Sequence, residues 1–177
     1  RLGMFCIRRK KKHLHLDRQY ARRHCCLYRH LDKRTMTFQM MFEIPGEPHG
    51  KGRPRFRRLG NFVSTYNDKK TQSYEALVKQ SAKQAFGDTD ILETPISLYL
   101  YIKLPIPKSY SKKRVEACLN GFEKPSKKPD IDNILKSVMD GLNGTIYKDD
   151  NQVTNVHMTK VYATEPGVEV LLKEDLQ

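Results

Sequence analysis

The chain has no tryptophan and only four cysteines in 177 residues. None of them forms a C-x-x-C pair: Cys25 and Cys26 are adjacent, while Cys6 and Cys118 stand alone. Even with His24 and His30 close by, that spacing is a poor frame for structural zinc, and it offers no disulfide framework. Long apolar runs are missing too. None approaches the roughly 20 residues that cross a bilayer. The basic N-terminal stretch is not followed by the apolar segment of about 7–15 residues that a secretory signal needs. The cysteines are therefore expected to be reduced thiols of a cytoplasmic protein. Acidic residues are scarce at one end: residues 1–35 hold 12 Lys and Arg against 2 Asp and Glu, so +10 of the net +13 sits there.

Residues 1–35 begin without Met and show neither a helical nor a strand period. A polybasic arm of this kind can hold nucleic acid through phosphates, or can be sequence from upstream of a natural start at Met36. Periodic patterning begins at Thr37. The expected organisation is a basic tail over 1–35, disordered or non-native, and one domain over 36–177, whose 38% hydrophobic content suffices for a modest core.

Phe38, Met40, Phe42 and Ile44 alternate with Thr37, Gln39, Met41 and Glu43, the period of a strand with one face against a core. The loop GKGRPRFRR then sets Lys51, Arg53, Arg55, Arg57 and Arg58 close together with no acid among them. Guanidinium forks match phosphate oxygens and glycine allows close approach, so this loop is the first candidate for DNA-backbone contact. Leu59-Gly60-Asn61-Phe62 reads as a turn into a short strand. A helix is expected over 68–86, capped by Asn67 or Asp68, then a strand in which Ile96, Leu98, Leu100 and Ile102 alternate with Ser97, Tyr99, Tyr101 and Lys103. The two tyrosines can stack on bases, although packing is the commoner role. A basic helix follows over 109–119, and two strands close the chain, the first with broken alternation that suggests a bulge, joined through a hairpin turn at Glu165-Pro166-Gly167. The fold class is α+β: a mixed sheet of four or five strands with helices at 68–86, 109–119 and 131–142 mainly on one face.

The densest chemistry lies in Lys127–Val153, KKPDIDNILKSVMDGLNGTIYKDDNQV. Ile131, Ile134, Leu135, Val138, Met139 and Leu142 share one helical face, and Asp132, Lys136 and Asp140 recur every fourth residue on the other. Gly141 and Gly144 can supply left-handed positions that end the helix. With Asp130 extended ahead of the helix, its carboxylate and that of Asp132 can converge at the helix start, and Asp149 or Asp150 can complete a hard oxygen site suited to Mg²⁺. An EF-hand reading fails, because position six would be Leu135 where glycine is required. A solvated ladder of Asp132, Lys136 and Asp140 would be worth only about 0.3–0.5 kcal/mol per pair and leaves Asp130 and the second acidic cluster without a role. Lys108, Lys112, Lys113, Arg114, Lys124, Lys127 and Lys128 precede the motif and would draw a phosphodiester toward it.

The pattern K-P-D-I-D-N-x-x-K-x-x-x-D-G-L-N followed by Y-K-D-D-x-Q-V, with G-E-P-x-G-K-x-R-P-R at Gly46–Arg55, resembles the RusA family of Holliday-junction resolvases, small Mg²⁺-dependent endodeoxyribonucleases often carried by prophages. The resemblance implies that Asp130, Asp132 and Asp150 are metal-binding catalytic carboxylates and Lys136 the catalytic lysine, with Asp140, Asn133 and Asp149 in support. It also implies Mg²⁺ as cofactor with Mn²⁺ able to substitute, branched DNA as substrate, a homodimer that presents two sites for paired nicks, and a cytoplasmic setting in a bacterial or phage-infected cell. Lys51, Arg53, Arg55, Arg57, Arg58, Lys127 and Lys128 are the expected DNA contacts. The PD-(D/E)xK nucleases also begin with Pro-Asp, but they place acid and lysine two residues apart, whereas Asp132 and Lys136 are four apart. A junction-binding protein without cleavage would need no complete carboxylate set.

Overall fold

A computed structural model describes residues 28–32, 37–53, 55–60, 62–66, 68–87 and 90–175. The main sheet has five strands in the order β1-β2-β7-β5-β6. These are β1 (Tyr28–Asp32), β2 (Thr37–Pro45), β5 (Ile96–Pro105), β6 (Val153–Ala163) and β7 (Gly167–Glu174), and β3 (Arg55–Leu59) and β4 (Phe62–Tyr66) form a separate antiparallel ribbon. The described residues also form three α-helices: α1 (Lys69–Phe86), α2 (Lys112–Leu119) and α3 (Ile131–Leu142). The architecture is the expected α+β class with a mixed sheet, since β5 and β6 are parallel while the other neighbours are antiparallel.

The alternation seen in the sequence builds the core directly. Ile96, Leu98, Leu100, Ile102 and Leu104 of β5 point the same way as Val168, Val170 and Leu172 of β7 and Met40, Phe42 and Ile44 of β2, and all are buried. Val78 and Ala82 of α1 and Ile134, Val138 and Leu142 of α3 close over this layer. The opposite sheet face is more open: Tyr99 stacks on His157 with ring centroids 4.7 Å apart, and Lys103 bridges Glu43 and Glu169. Tyr99 is thus a packing residue of the open face.

Three features differ from the sequence reading. The segment expected as a tail to residue 35 contributes β1, which pairs with β2 from Tyr28↔Met41 to Asp32↔Thr37; residues 1–27, the Cys25/Cys26 and His24 cluster among them, and Met36 lie outside the described residues. The expected β6–β7 hairpin is split, because β5 lies between the two strands and residues 164–166 cross over it. Strand order is set by which faces must be covered, and a turn signal of three residues cannot report it. Gly141 does not end α3. It is buried inside the helix, where a Cβ would come 2.7 Å from Val78 Cβ and 2.9 Å from the Glu75 carbonyl oxygen, so glycine lets α1 and α3 approach closely. Gly144, at φ 63°, does take the left-handed conformation beyond the helix end. The expected bulge is present: pairing jumps from Ile96↔Val153 to Ser97↔Asn155, leaving Thr154 extra.

Candidate active site

Asp130 is the N-cap of α3, with extended backbone at φ −71° and ψ 146°. This is the conformation that lets consecutive carboxylates converge, and the Asp130 side chain makes no capping hydrogen bond. Its carboxylate is exposed and available for a ligand. Asp132 follows in the first turn, where negative charge is favoured by the helix dipole. One turn on, Lys136 Nζ lies 3.7 Å from Asp132 Oδ2, and both side chains are largely exposed. Asp140 does not continue this stripe as an ion-pair ladder. It receives the ammonium of Lys51, which also stands 3.9 Å from Glu75 Oε1.

The basic loop is fastened to α3 at this point. The Lys51 amide donates to the Asn133 carbonyl at 2.8 Å, the Gly52 amide donates to Thr71 Oγ1 at 3.3 Å, and a Cβ on Gly50 would sit 3.0 Å from Asn133 Cβ. Lys51, expected on phosphate, joins the loop to α1 and α3 and also lines the cleft beside it. The neighbouring groups open into a cleft lined by His49, Arg53, Lys70, Lys128, Asp130 and Asn133. Arg53, Lys70 and Lys128 thus share the cleft with two carboxylates, Asp130 and Glu47, besides the Lys51 ammonium that is paired with Asp140. On its far side, Lys160 Nζ from β6 donates to the carbonyls of Lys127 at 3.0 Å and Pro129 at 3.2 Å, holding the segment that delivers Asp130.

The second acidic cluster sits on a 3-10 turn, Asp150–Gln152, capped by Asp149. Gln152 organises it: its Oε1 accepts from the amides of Lys148 and Asp149, while its Nε2 donates to the carbonyls of Leu92 and Thr94. Asp149 accepts from the Asn151 amide and is therefore partly used in structure. The two acids also share a hydrogen bond between their carboxyls, which holds Asp149 below the usual carboxylate range and Asp150 above it, the charges of Asp149 and Asp140 adding to the rise at Asp150. Glu75 is raised mainly by burial, against the pull of Lys51. Asp140 and Asp132 are eight residues apart on α3, about 12 Å along its axis. Among the described residues, no group of three or more His, Cys, Asp or Glu side chains is drawn together closely enough to hold a metal ion. The donor set nevertheless fits a hard divalent cation, since Mg²⁺ is commonly held by one or two carboxylates with waters and substrate phosphate.

Of the other expected contacts, Arg57 and Arg58 lie exposed on the β3–β4 ribbon, Arg55 opens β3, and Lys127 is exposed on the approach to Asp130. Arg114 is committed elsewhere, to Glu123 and to the face of Tyr110. Sequence reasoning missed Lys70, His49, Gln152 and Lys160. Lys70 carried a signal: a lysine in the first turn of a helix opposes the dipole unless an anion is to be bound there. Lys160 carried none, because its partners are backbone carbonyls far away in sequence.

Comparison with known proteins agrees with this geometry. The profile of the family described as Endodeoxyribonuclease RusA matches residues 45–173, from the end of β2 through most of β7. "Uncharacterized protein YqaN" of Bacillus subtilis (strain 168) is 38% identical over 135 residues, covering 75% of this chain and 94% of that protein. A match that takes in the basic loop, the Asp130 helix and the Asp149–Asp150 turn together makes this chain a member of the RusA family of endodeoxyribonucleases, enzymes that resolve Holliday junctions.

Proposed function

We propose that the chain is a Mg²⁺-dependent, structure-selective endonuclease that resolves four-way junctions by paired symmetric nicks in recombination and repair. The observation that supports this best is the cleft that Asp130, its side chain unused in capping, lines together with Arg53, Lys70 and Lys128. Asp130 and Asp132 would hold the ion, joined by Asp150, with Mn²⁺ able to substitute. When bound there, the ion would supply Lewis-acid chemistry for phosphodiester hydrolysis. Arg53, Lys70 and Lys128 orient the scissile phosphate, with Lys127 on the approach and Arg55, Arg57 and Arg58 holding flanking backbone. Lys136 meets negative charge as it develops on the phosphate or leaving oxygen. Asn133 and Asp140 fix the loop through Lys51, and Asp149 fixes the turn that bears Asp150.

Paired nicks require two sites, so the working species is a two-fold homodimer. A nuclease of this kind acts where DNA recombines, in the cytoplasm of a bacterial or phage-infected cell, and a prophage is a fitting genomic home. Among the described residues no helix is long and apolar enough to cross a membrane. The test is cleavage of a synthetic four-way junction beside matched duplex, with and without Mg²⁺. Symmetric Mg²⁺-dependent nicks in the junction alone are expected. Binding without cleavage would mark a junction-binding protein, and equal cutting of flaps or forks a broader branched-DNA nuclease.

A further inference from the structure

The β3–β4 ribbon carries Phe62 and Phe56 at 81% and 73% exposure, together with exposed Val63 and Tyr66. A ribbon of ten residues thus exposes four large apolar side chains, a density that solvent alone does not favour. Register distributes them over both faces. Phe56 and Arg58 share one face, with Val63 opposite Arg58. Arg57 lies on the other, opposite Ser64, with Phe62 and Tyr66 as its diagonal neighbours. Aromatic rings and guanidinium groups therefore recur together on each side. Between Glu47 and Asp68 there are five Lys and Arg and no acid.

This arrangement suits a polyanion that offers π-faces. A partner surface docking flat would cover one face and leave the other exposed, and a second copy would bring two cationic ribbons together at a cost in like-charge repulsion. We propose that the ribbon enters the branch point of the junction, where Phe62 beside the Gly60 turn stacks on unpaired bases and Arg57 and Arg58 hold the flanking phosphates. Stacking is indifferent to base identity, so the ribbon selects branched over continuous duplex without reading sequence. Arg58 is already oriented, its Nε donating to the Gly60 carbonyl at 3.2 Å. The ribbon follows Arg53 of the cleft by two residues, so DNA that lies along it runs toward the cleft.

The inference rests on the junction-resolving activity proposed above, and the test separates the two. Because the chain has no tryptophan, Phe62→Trp in the full-length protein places the sole indole at the ribbon tip. Its emission is titrated in metal-free buffer with a four-way junction, a gapped duplex and a matched duplex. Junction and gapped DNA are expected to quench it and matched duplex to leave it nearly unchanged; Phe62→Ser is expected to lose about 10-fold in junction affinity, with duplex affinity retained. Equal emission on all three DNAs overturns the proposal. So does a Phe62→Ser protein that keeps full junction affinity, or one that sediments as a lighter species while the indole ignores DNA, which would assign the ribbon to contact between copies. Cleavage by the parent with Mg²⁺ reads the activity separately: cleavage without indole response defeats only the ribbon, and indole response without cleavage defeats only the catalytic reading.

Discussion

Lys136 and Asp132 form an exposed pair at 3.7 Å, a geometry worth a few tenths of a kcal/mol at most. Removing it should barely touch stability. If Lys136 meets charge that appears only as the phosphodiester breaks, Lys136→Ala lowers the single-turnover cleavage rate by about 10²-fold or more, with Tm and junction affinity nearly constant. Lys136→Arg should not fully rescue, because a planar fork cannot place its charge where a compact ammonium sat. Near-parental cleavage with weakened binding would make Lys136 a ground-state phosphate contact. For the acids, Asp132→Asn should abolish cleavage while junction binding stays within a few-fold. Asp150→Asn should cost more activity than Asp149→Asn, since Asp149 already serves as the cap of its turn; the reverse order, measured by single-turnover kinetics, would exchange their roles. Much of this was legible locally. The α3 bounds, the extended Asp130 and the Asp132–Lys136 pair follow from residues within one or two turns. The inward turn of Lys51 was not, because its acceptors sit on two helices that only the tertiary fold brings beneath the loop.

At the scale of elements, the α1–α3 contact depends on one missing side chain. Gly141→Ala would push a methyl into Val78 and the Glu75 carbonyl, an overpacking that costs about 1–3 kcal/mol. A Tm lower by several degrees is expected in a circular-dichroism melt, together with reduced cleavage, because Glu75 and Asp140 ride on the helices being forced apart. An unchanged Tm would show that α3 can shift without penalty. The sequence marked Gly141 as a terminator since glycine after an apolar run usually is one; that it lies against α1 is a property of the pair of helices. A second element-level contact joins the ends of three strands. Asp175, just past β7, accepts from Ser97 of β5 and from Thr154 and Asn155 of β6, and the Ser97 bond foremost holds its carboxyl below the usual range. Its stabilising contribution is therefore complete above the unfolded carboxylate value of about 3.9 and fades as pH falls through the lower folded one. Asp175→Asn should reduce Tm at pH 7, and the gap between parent and variant should close in melts below about pH 4. A gap independent of pH would mean that shape, not charge, matters there.

Across the whole molecule, charge and fold are divided unevenly. Deleting residues 1–35 removes +10 of the +13 charge and the edge strand β1, but none of the buried residues of β2, β7, β5, α1 or α3. The shortened chain is expected to melt cooperatively and to cleave junctions, with weaker and less salt-dependent duplex binding. Loss of a cooperative melt would make β1 part of the folding unit. The alternating strands and the fold class were readable because period 2 is a local signal. Strand order was not, and the misread β6–β7 hairpin shows why: Glu165-Pro166-Gly167 turns the chain just as a hairpin would, while β5 occupies the slot between.

That slot has a consequence for biosynthesis. β7 lies between β2 and β5, yet it is the last strand in chain order. When the Asp130–Lys136 helix leaves the ribosome, β2 and β5 still lack the neighbour that joins them, and the helix has no finished sheet to lie on. Pairings of such long sequence separation form late and slowly. A nascent nuclease of this design should stay inert until β7 has emerged, so its cutting activity waits on a strand made after every residue of the site.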